Sequence, residues 1–267
     1  MRIFLAGGGN PDIAGLWRSM KIYLAGVAPW RNEQIYDAAI KKSGPYILES
    51  FYYTDVDTER LLPHFGDFLL DSGAFTFMTN STARLDWDEY VKKYAAFINR
   101  NKIEKYFELD IDPVVGYAQV LKYRAKLEDL TERPCIPVWH KSRGMNEFYK
   151  MCDEYGYAAI GGVVTKEIKR EQYAIFPKLI KEAHQRGCKL HGLGFTALDW
   201  LPRCHFDSVD STAWTTGNRF GYVYKFNGKT MTKVDCPPGK RLGDPRKVAL
   251  INFTEWVKFQ KWAETNL

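Results

Sequence analysis

The sequence lacks the cysteine spacing that marks disulfide frameworks and structural zinc sites. Its five cysteines lie far apart, and none belongs to a Cys-x-x-Cys pair. An odd and scattered set of cysteines is typical of reduced thiols in a reducing compartment. We therefore expect a cytoplasmic protein and exclude the class of small secreted domains that are held together by disulfides.

Long apolar runs are missing as well. No stretch approaches the roughly 20 residues that a membrane-spanning helix needs. The apolar start of the chain, Met1 to Gly9, is interrupted by glycines and followed by Asn10 and Pro11. We expect neither a signal peptide nor a membrane partner. Because Met1–Gly7 is nearly repeated by Met20–Gly26, the sequence leaves open which methionine starts translation.

Two families of cofactor motif are absent. No Gly-x-Gly-x-x-Gly follows an apolar run, which argues against a dinucleotide-binding fold. His140 and His191 could ligate a metal together with nearby acids, but the sequence contains no His-Glu-x-x-His or His-x-His spacing. Single histidines are more often structural residues or substrate donors, so we expect no metal and no cofactor.

The composition indicates one α/β domain that spans residues 1–267. The chain is 45% hydrophobic and 15% aromatic, and its length suffices for a (β/α)8 barrel without large insertions. It carries 38 Lys and Arg residues against 32 Asp and Glu residues, for a net charge of +6. Such an excess favours a polyanionic partner, and nucleic acid is the one we expect.

Short apolar runs that end in a polar residue or in glycine recur at intervals long enough for a helix. With one N-terminal strand, either Met1–Gly7 or Met20–Gly26, they make eight. The other seven are Tyr46–Phe51, Asp67–Asp71, Tyr106–Asp110, Ile136–His140, Ala158–Val163, Leu190–Leu193 and Phe206–Asp210. Strands that alternate with helices predict a parallel sheet, and eight such units predict a closed (β/α)8 TIM barrel.

The segments between these strands carry helical patterns. Asp86 followed by Glu89 predicts a helix N-terminus, and similar patterns cover Val114–Leu130, Asn146–Tyr155 and Pro177–Arg186, the last ended by Gly187. A final helix over 247–264 is expected to close the barrel.

The segment 215–243 breaks the alternation of strands and helices. It is polar and Gly-rich, and its run Tyr222–Phe226 followed by Asn227-Gly228 predicts a small inserted hairpin. Its bases and aromatics could form a nucleic-acid surface, or the segment could be a solvated excursion; the sequence leaves both open.

The carboxyl ends of the predicted strands are rich in acids, histidines and glycines. In a parallel barrel these ends converge on one mouth. The residues placed there are Ser50, Asp71, Asp110, Asp112, His140, Gly161, Gly162, His191, Gly192, Asp207 and Asp210. Like charges in one cleft raise one another's pKa, so such a set usually holds a metal or divides the roles of acid, base and nucleophile.

Four of these segments resemble motifs of the tRNA-guanine transglycosylases, in the same order. Asp71-Ser-Gly-Ala-Phe75 resembles that family's Asp-Ser-Gly-Gly-Phe, and Ala159-Ile-Gly-Gly-Val-Val-Thr-Lys-Glu167 resembles its Ala-Ile-Gly-Gly-Leu-Ala-Val-Gly-Glu. His191-Gly-Leu-Gly194 is similar to its Met-Gly-Val-Gly turn. Asp207-Ser-Val-Asp210-Ser211 is similar to its Asp-Met-Phe-Asp-Cys. The resemblance implies a TIM barrel that exchanges a purine base.

The departures from that family point to one of its branches. The tRNA enzymes carry a zinc site of three cysteines and a histidine after the nucleophile, whereas only Cys236 follows Asp210 here. The shorter chain and the pattern of Asp207–Trp214 look more like the phage and bacterial DNA-guanine transglycosylases. That branch implies a pentosyltransferase that replaces guanine in DNA with a 7-deazaguanine such as the queuosine-related preQ0. Its partners would be DNA and the free base, and a homodimer is open because a related enzyme dimerises.

The resemblance also implies the catalytic roles. Asp210 would be the nucleophile that bonds to the sugar, and Asp71 the acid–base group beside the leaving base. Asp110 would read the N1–H and N2–H₂ donors of guanine.

The remaining positions would shape the base pocket. His140 stands where the family has a glutamine near O6, and the backbone N–H of Gly162 or Val163 could donate to the same oxygen. The glycines at 161, 162 and 192 would allow the backbone to approach a planar base closely.

Three other functions remain alternatives. A tRNA-guanine transglycosylase would use the same chemistry on a different polymer, but the zinc motif is missing. A DNA glycosylase would use the same pocket and let water complete the reaction. A non-catalytic nucleic-acid-binding barrel would have no reason to keep both Asp71 and Asp210.

Overall fold

A computed structural model describes residues 19–28, 34–73, 76, 86–237 and 242–267. Within these residues, seven parallel strands form one curled sheet in the order β3-β2-β1-β7-β6-β5-β4. The strands are β1 (Lys21–Ala25), β2 (Tyr46–Ser50), β3 (Asp67–Asp71), β4 (Val138–Trp139), β5 (Tyr157–Ile160), β6 (Lys189–Gly192) and β7 (Ser208–Ser211). The predicted (β/α)8 TIM-barrel fold is confirmed.

The gap between β3 and β4 is bridged by Tyr106 and Phe107, which occupy the eighth position of the ring. Parallel bridges join Leu70 to Tyr106 and Phe107 to Ile136. The Phe107 N–H donates to Leu70 O and the Glu108 N–H to Ile136 O, both at 3.0 Å. These bonds close the sheet into a barrel.

The eighth strand is shorter than the sequence pattern predicts. We expected a strand over Tyr106–Asp110, but the backbone turns after Glu108, where the Ile111 N–H donates to Leu109 O at 3.0 Å. The helix that begins at Asp112 follows at once. An apolar run shows that a segment is buried but does not show where its backbone leaves the sheet.

The second of the two similar N-terminal segments supplies the first barrel strand. β1 lies between β2 and β7 and pairs with both in parallel. Its four residues Ile22–Ala25 are buried, as expected for a strand covered on both faces. The first segment, Met1–Gly7, lies outside the described residues.

Helices alternate with the strands along the chain. They are α1 (Gln34–Ser43), α2 (Val56–Leu61), α3 (Trp87–Arg100), α4 (Asp112–Val115), α5 (Tyr117–Thr131), α6 (Gly144–Glu154), α7 (Phe176–Gln185), α8 (Leu201–Cys204), α9 (Gly217–Phe220) and α10 (Pro245–Asn266). The Asp86 carboxylate accepts the Glu89 N–H at 3.1 Å, which confirms the predicted start of α3. The single helix predicted over Val114–Leu130 is wrong, because Gly116 at φ +81° separates α4 from α5.

Side chains from alternating strand positions fill the inside of the barrel. One core cluster takes Tyr23 from β1, Leu48 from β2 and Leu69 from β3, together with Phe107. The His191 ring on β6 lies 5.3 Å from the Phe107 ring, so it belongs to the same interior. The strands β6 and β7 therefore contribute polar side chains where the other strands contribute apolar ones.

The C-terminal helix α10 is packed on two sides. Towards the barrel, Gln260 Nε2 donates to Ile22 O and Tyr46 O at 2.5 and 2.8 Å, and thereby joins β1 to β2. Away from the barrel, α10 is covered by an antiparallel hairpin of β8 (Tyr222–Phe226) and β9 (Met231–Asp235). This arrangement explains why apolar residues occur on both faces of the predicted 247–264 helix.

The hairpin runs alongside α10 away from the barrel mouth. Asn252 on α10 accepts the Tyr224 N–H at 2.6 Å, and Glu255 accepts the Phe226 N–H at 2.8 Å. The turn at 227–230 follows Phe226, whose ring packs against Trp262, close to the residues of α10 that hold the starts of β1 and β2. The predicted hairpin is confirmed, and its turn lies at the amino end of the barrel.

None of the described helices is both long enough and apolar enough to cross a membrane.

Candidate active site at the barrel mouth

Asp71 ends β3 and has an unusually high pKa for an aspartate. Burial, together with the negative charges of Asp210 and Asp110, raises that pKa to about 6 against the opposing effect of two backbone N–H groups. One of these, the Gly73 N–H, donates to Asp71 Oδ2 at 2.9 Å. The structure thus brings Asp71, Asp110 and Asp210 within electrostatic reach of one another, as the strand ends predict.

A carboxyl group with a pKa near 6 can alternate between its two protonation states near neutral pH. General acid–base catalysis is most effective when the pKa of the group lies close to the working pH. Asp71 therefore has the property that a proton-transfer residue needs.

Two serine hydroxyls beside Asp71 have no hydrogen-bond partner among the described residues. They are Ser50 Oγ and Ser72 Oγ, both shielded from solvent. Ser50 pairs in register with Asp71 across β2 and β3. A buried polar group is normally satisfied by protein, water or ligand. These hydroxyls are therefore candidates for contacts with a substrate, and the sequence reasoning gave a role to neither.

Asp210 is held in place by two donors on one of its oxygens. It is 7% exposed and lies on β7. Its Oδ1 accepts the Gly194 N–H at 2.6 Å and lies 3.2 Å from His191 Nε2. Gly194 belongs to the loop after β6, so the motif His191–Gly194 positions the carboxylate of the neighbouring strand.

His140 bridges two carboxylates on the other side of the mouth. Its Nε2 lies 2.8 Å from Asp110 Oδ2, and its Nδ1 lies 2.9 Å from Glu167 Oε2. Burial opposes the charged ring, but the bonds to Asp110 and Glu167 outweigh burial and raise the His140 pKa to about 9. At neutral pH this residue is an imidazolium that donates from both nitrogens.

Below His140, Arg143 connects three acids. Its guanidinium lies 3.1 Å from Asp110, 3.2 Å from Asp112 and 3.3 Å from Glu108. Its side chain is 2% exposed and its charged group lies 4.3 Å from the centre of the Tyr117 ring. Asp110 is therefore bonded to two cations before any substrate arrives.

A second buried arginine completes the charge balance of this side. Arg124 Nε donates to Glu108 Oε2 at 2.6 Å, with side-chain exposures of 6% and 0%. The other oxygen of Glu108 accepts the Val138 N–H at 2.8 Å. Glu108 thus joins α5 to the start of β4, and its role is structural.

Asp110, Asp112 and His140 could in principle hold a metal ion. One ligand atom from each lies within 4.8 Å of the others. The Arg143 guanidinium already binds both carboxylates, and His140 already bonds to Asp110. A divalent cation would have to displace these contacts, so the donor set suits an ion-pair network better than a metal centre.

The three predicted pocket glycines each make room for a side chain of the protein. A Cβ atom on Gly161 would lie 2.7 Å from His140 Nε2, and one on Gly162 would lie 3.0 Å from Glu167 Oε2. A Cβ atom on Gly192 would lie 3.1 Å from the Phe206 ring. Gly161 and Gly162 thus position the His140–Glu167 pair, with the half-buried Val163 next in the chain. Their predicted approach to a base stays a prediction.

One expectation about the strand ends needs correction. Asp207 precedes β7 and accepts the Leu190 N–H at 2.7 Å while bonding to His184 at 2.9 Å, so it lies at the amino end of the barrel, opposite Asp210. The motif residues Ala74 and Phe75 lie outside the described residues. Trp214 is fully buried, and its ring N–H donates to Ala25 O at 2.7 Å.

Exposed lysine and arginine side chains lie beside the barrel mouth, near the carboxyl ends of β4 and β5. They lie in the segments that follow β4 and β5 and are Lys141, Lys166, Lys169 and Arg170. The hairpin lysines are placed differently, because the 227–230 turn lies at the amino end of the barrel. A nucleic acid bound over the mouth would lie closer to these lysine and arginine side chains than to Lys229 at the hairpin turn.

The sequence reasoning found the acids of the site but missed most of their partners. Ser208, which bonds to His191, precedes Asp210 by two residues on β7, so strand alternation places both on the same face. That signal was available. Arg124, Arg143 and Tyr157 carry no such periodic signal because their elements meet the site only in three dimensions.

Comparison with known structures shows the class of fold. A protein named as a candidate fructose-1,6-biphosphate aldolase from Coccidioides immitis superposes with a TM-score of 0.55 at 12% identity, over 95% of this chain and 93% of its own. This likeness shows an α/β TIM-barrel fold.

Two further structures are similar at a lower level. A mutant tryptophan synthase alpha-subunit from the hyperthermophile Pyrococcus furiosus gives a TM-score of 0.47 at 12% identity, over 76% of this chain and 91% of its own. The carboxyl transferase domain of Rhizobium etli pyruvate carboxylase gives 0.43 at 10% identity, over 92% of this chain and 48% of its own. No protein-family model matches the sequence, and no curated protein is significantly similar to it.

Proposed function

We propose that this protein is an enzyme, a DNA-guanine transglycosylase that exchanges guanine in DNA for a free 7-deazaguanine such as preQ0. The observation that supports this most is the pairing of Asp71, with a pKa of about 6, and Asp210, whose charge contributes to that pKa. The two carboxylates have different hydrogen-bond partners, the Gly73 N–H for Asp71 and the Gly194 N–H with His191 for Asp210, and carboxylates in different environments can divide the roles of acid–base group and nucleophile. The motif resemblance to the transglycosylase family supplies the reaction.

The reaction proceeds in two balanced steps. In the first, the C1′–N9 bond breaks, its electron pair stays on guanine, Asp71 gives guanine a proton, and a carboxylate oxygen of Asp210 bonds to C1′. In the second, Asp71 accepts the proton of the incoming base while that base attacks C1′ and releases Asp210. Two inversions retain the sugar configuration. No oxidant or metal is required.

Base recognition falls to the groups around Asp71 and Asp110. An ionised carboxylate offers about four lone-pair sites, and the cations His140 and Arg143 occupy only part of those on Asp110. These three contacts leave about one site on Asp110, so one guanine donor fits there directly and the other would displace the His140 contact. Both ring nitrogens of His140 bond to carboxylates, so His140 could take the place of the family's glutamine near O6 only after guanine displaces its Nε2–H from Asp110. Ser72 offers a further hydroxyl with no other partner among the described residues.

The DNA must deliver its base to a buried site. A guanine inside a duplex is out of reach, so it is flipped out or presented in a single strand. The lysine and arginine side chains that follow β4 and β5 would bind the flanking phosphates, so the affinity for DNA should fall steeply as the salt concentration rises. The exposed Tyr52 and Tyr53, at 47% and 50%, lie after β2 on the other side of the mouth and can stack on neighbouring bases.

The test measures entry of labelled base into nucleic acid. The protein is incubated with guanine-containing DNA or with tRNA, together with radiolabelled preQ0 or guanine, and label in the polymer is counted. We expect label in DNA, and we expect Asp210→Ala to abolish it. Asp37→Ala serves as the control, because Asp37 forms only exposed ion pairs with Lys41 and Arg60.

Each alternative function gives a different result in this assay. If label enters tRNA but not DNA, the substrate is tRNA and the protein is a tRNA-guanine transglycosylase. Abasic sites without label would identify a DNA glycosylase. Binding without either product would leave a nucleic-acid-binding barrel. A fully active Asp210→Ala variant would remove Asp210 from the role of nucleophile.

A further inference from the structure

His191 is buried inside the barrel, yet both nitrogens of its ring are hydrogen-bonded. Its exposed fraction is 0%. Nδ1 lies 2.6 Å from Ser208 Oγ, and Nε2 lies 3.2 Å from Asp210 Oδ1. The Phe107 and Tyr23 rings pack beside it, with centroids 5.3 and 6.1 Å away. These contacts fix the orientation of the imidazole.

Tyr157 contacts Ser208 and bears on which group donates in the Ser208–His191 hydrogen bond. The Tyr157 hydroxyl contacts Ser208 Oγ, and burial raises the pKa of Tyr157, so the phenol keeps its proton. When the phenol donates to Ser208, the Ser208 hydroxyl is left to donate to Nδ1 of His191. The ring proton then lies on Nε2 and is donated to the Asp210 carboxylate.

Both donors to Asp210 converge on the same oxygen. Oδ1 accepts from the Gly194 N–H at 2.6 Å and from His191. In the part of the chain that the structure describes, no donor bonds to Oδ2. The carboxylate therefore has one restrained oxygen and one that is available for chemistry.

We propose that Tyr157, Ser208 and His191 form a positioning relay that orients Asp210 and leaves its Oδ2 to attack the sugar. The relay rests on the proposed function, because it acts only through Asp210. Tyr157 and Ser208 are the first residues of β5 and β7. Groups on barrel strands hold their geometry more closely than groups on loops, which suits a support for a reacting group.

The first test reads the position of the proton on His191. Nitrogen-15 NMR of the histidine rings distinguishes the Nε2–H from the Nδ1–H tautomer, and the His191 signals among the five histidines are assigned by their loss in His191→Gln. We expect the Nε2–H tautomer in the wild type. Ser208→Ala removes the donor to Nδ1 and should shift His191 towards the other tautomer, whereas Ser208→Thr, which keeps a hydroxyl, should not.

The second test reads catalysis. Ser208→Ala and Tyr157→Phe should lower kcat for base exchange by about 10- to 100-fold, the range expected for a slightly misplaced reacting group, while KM stays within about twofold. Ser208→Thr should recover most of kcat. Ser211→Ala is the matched control, because Ser211 lies on the same strand but bonds to the Ala213 N–H outside the relay.

The two tests separate failure of the relay from failure of the proposed function. An Nδ1–H tautomer in the wild type, or a tautomer unchanged in both Ser208→Ala and Tyr157→Phe, would overturn the relay whether or not the protein exchanges bases. A wild type with the Nε2–H tautomer but without base exchange would support the relay as a feature of Asp210 and overturn the transglycosylase function. If Ser208→Ala does not fold, Tyr157→Phe, which loses a single hydroxyl, decides the question.

Discussion

On one side of the barrel mouth, Asp110 shares its charge with His140 and Arg143; on the other side, Asp71 has no cationic partner among the described residues. The consequence appears in the pKa values. On the side of Asp110, hydrogen bonds to carboxylates raise the pKa of His140 to about 9. The uncompensated side raises the pKa of Asp71 to about 6, because burial and the charges of Asp210 and Asp110 disfavour its ionised form.

This difference shows which carboxyl group of the site is suited to proton transfer. A carboxylate bonded to cations is stabilised and is a poor base, whereas a buried carboxylate near other acids is destabilised and takes up protons readily. The site combines both kinds of carboxylate. The ion-pair network around Asp110 can shape a pocket, and the pair Asp71 and Asp210 can take part in the reaction. Removing a cation from the network around Asp110 should therefore lower the stability of the fold, whereas removing the charge of Asp71 should raise it.

Removing a cation from the compensated side should have the largest effect. Arg124→Met leaves Glu108 buried with less compensation, and breaking a buried pair costs about 3–5 kcal/mol. We expect a loss of this size in the free energy of unfolding, measured with urea. Arg170→Met is the control, because its pair with Asp199 is exposed at 58% and 57% and exposed pairs contribute about 0–1 kcal/mol. Equal losses in the two variants would contradict the comparison.

The imidazolium of His140 should make stability depend on alkaline pH. Its pKa is raised from 6.5 in the unfolded chain to about 9 in the folded protein, so its contribution is complete below 6.5 and is lost as the pH rises to 9. The displacement corresponds to about 3 kcal/mol. Urea unfolding at both ends of this window should show the loss in the wild type but not in His140→Gln. The exposed His64→Gln variant should behave like the wild type.

The uncharged variant of Asp71 should be more stable than the wild type. The folded pKa of about 6 exceeds the value of 3.8 for an unperturbed aspartate, so the folded protein binds more protons than the unfolded chain and loses stability as the pH rises through that window. Above it, the cost is about 3 kcal/mol. Asp71→Asn should recover up to this amount at neutral pH while abolishing base exchange.

The opposite end of the same strand provides the control for Asp71. Asp67 begins β3, and although burial opposes its ionisation, bonds from Lys105 and Lys21 lower its pKa. Asp67→Asn should therefore destabilise the protein at neutral pH. If both substitutions destabilise it, Asp71 is held by contacts that its charge does not reveal.

The sequence predicted one side of this comparison better than the other. Asp71 and Asp210 follow apolar runs, so strand periodicity alone places them at the mouth. The partners of Asp110, which are His140 and Arg143, lie in the segment that follows β4, and no periodicity of the sequence shows that both side chains turn towards Asp110. Arg143 illustrates the limit: it reads as an exposed base after a strand, yet its side chain is 2% exposed. A pattern of hydrophobicity records burial of apolar groups and contains no term for paired charges.

The smallest expected effect concerns the glycine that makes room for His140. A Cβ atom at position 161 would lie 2.6 Å from His140 Cε1, and overpacking of this kind costs about 1–3 kcal/mol. Gly161→Ala should therefore destabilise the protein and weaken the pH dependence that His140 confers. Gly156→Ala, on an exposed glycine with no atom within 4 Å of the new Cβ, is the matched control and should be neutral. In a His140→Ala background only the 3.1 Å contact of the new Cβ with the Val138 side chain remains, so Gly161→Ala should then cost less. An undiminished cost in that background would show that Val138, and not the imidazole, requires a glycine at position 161.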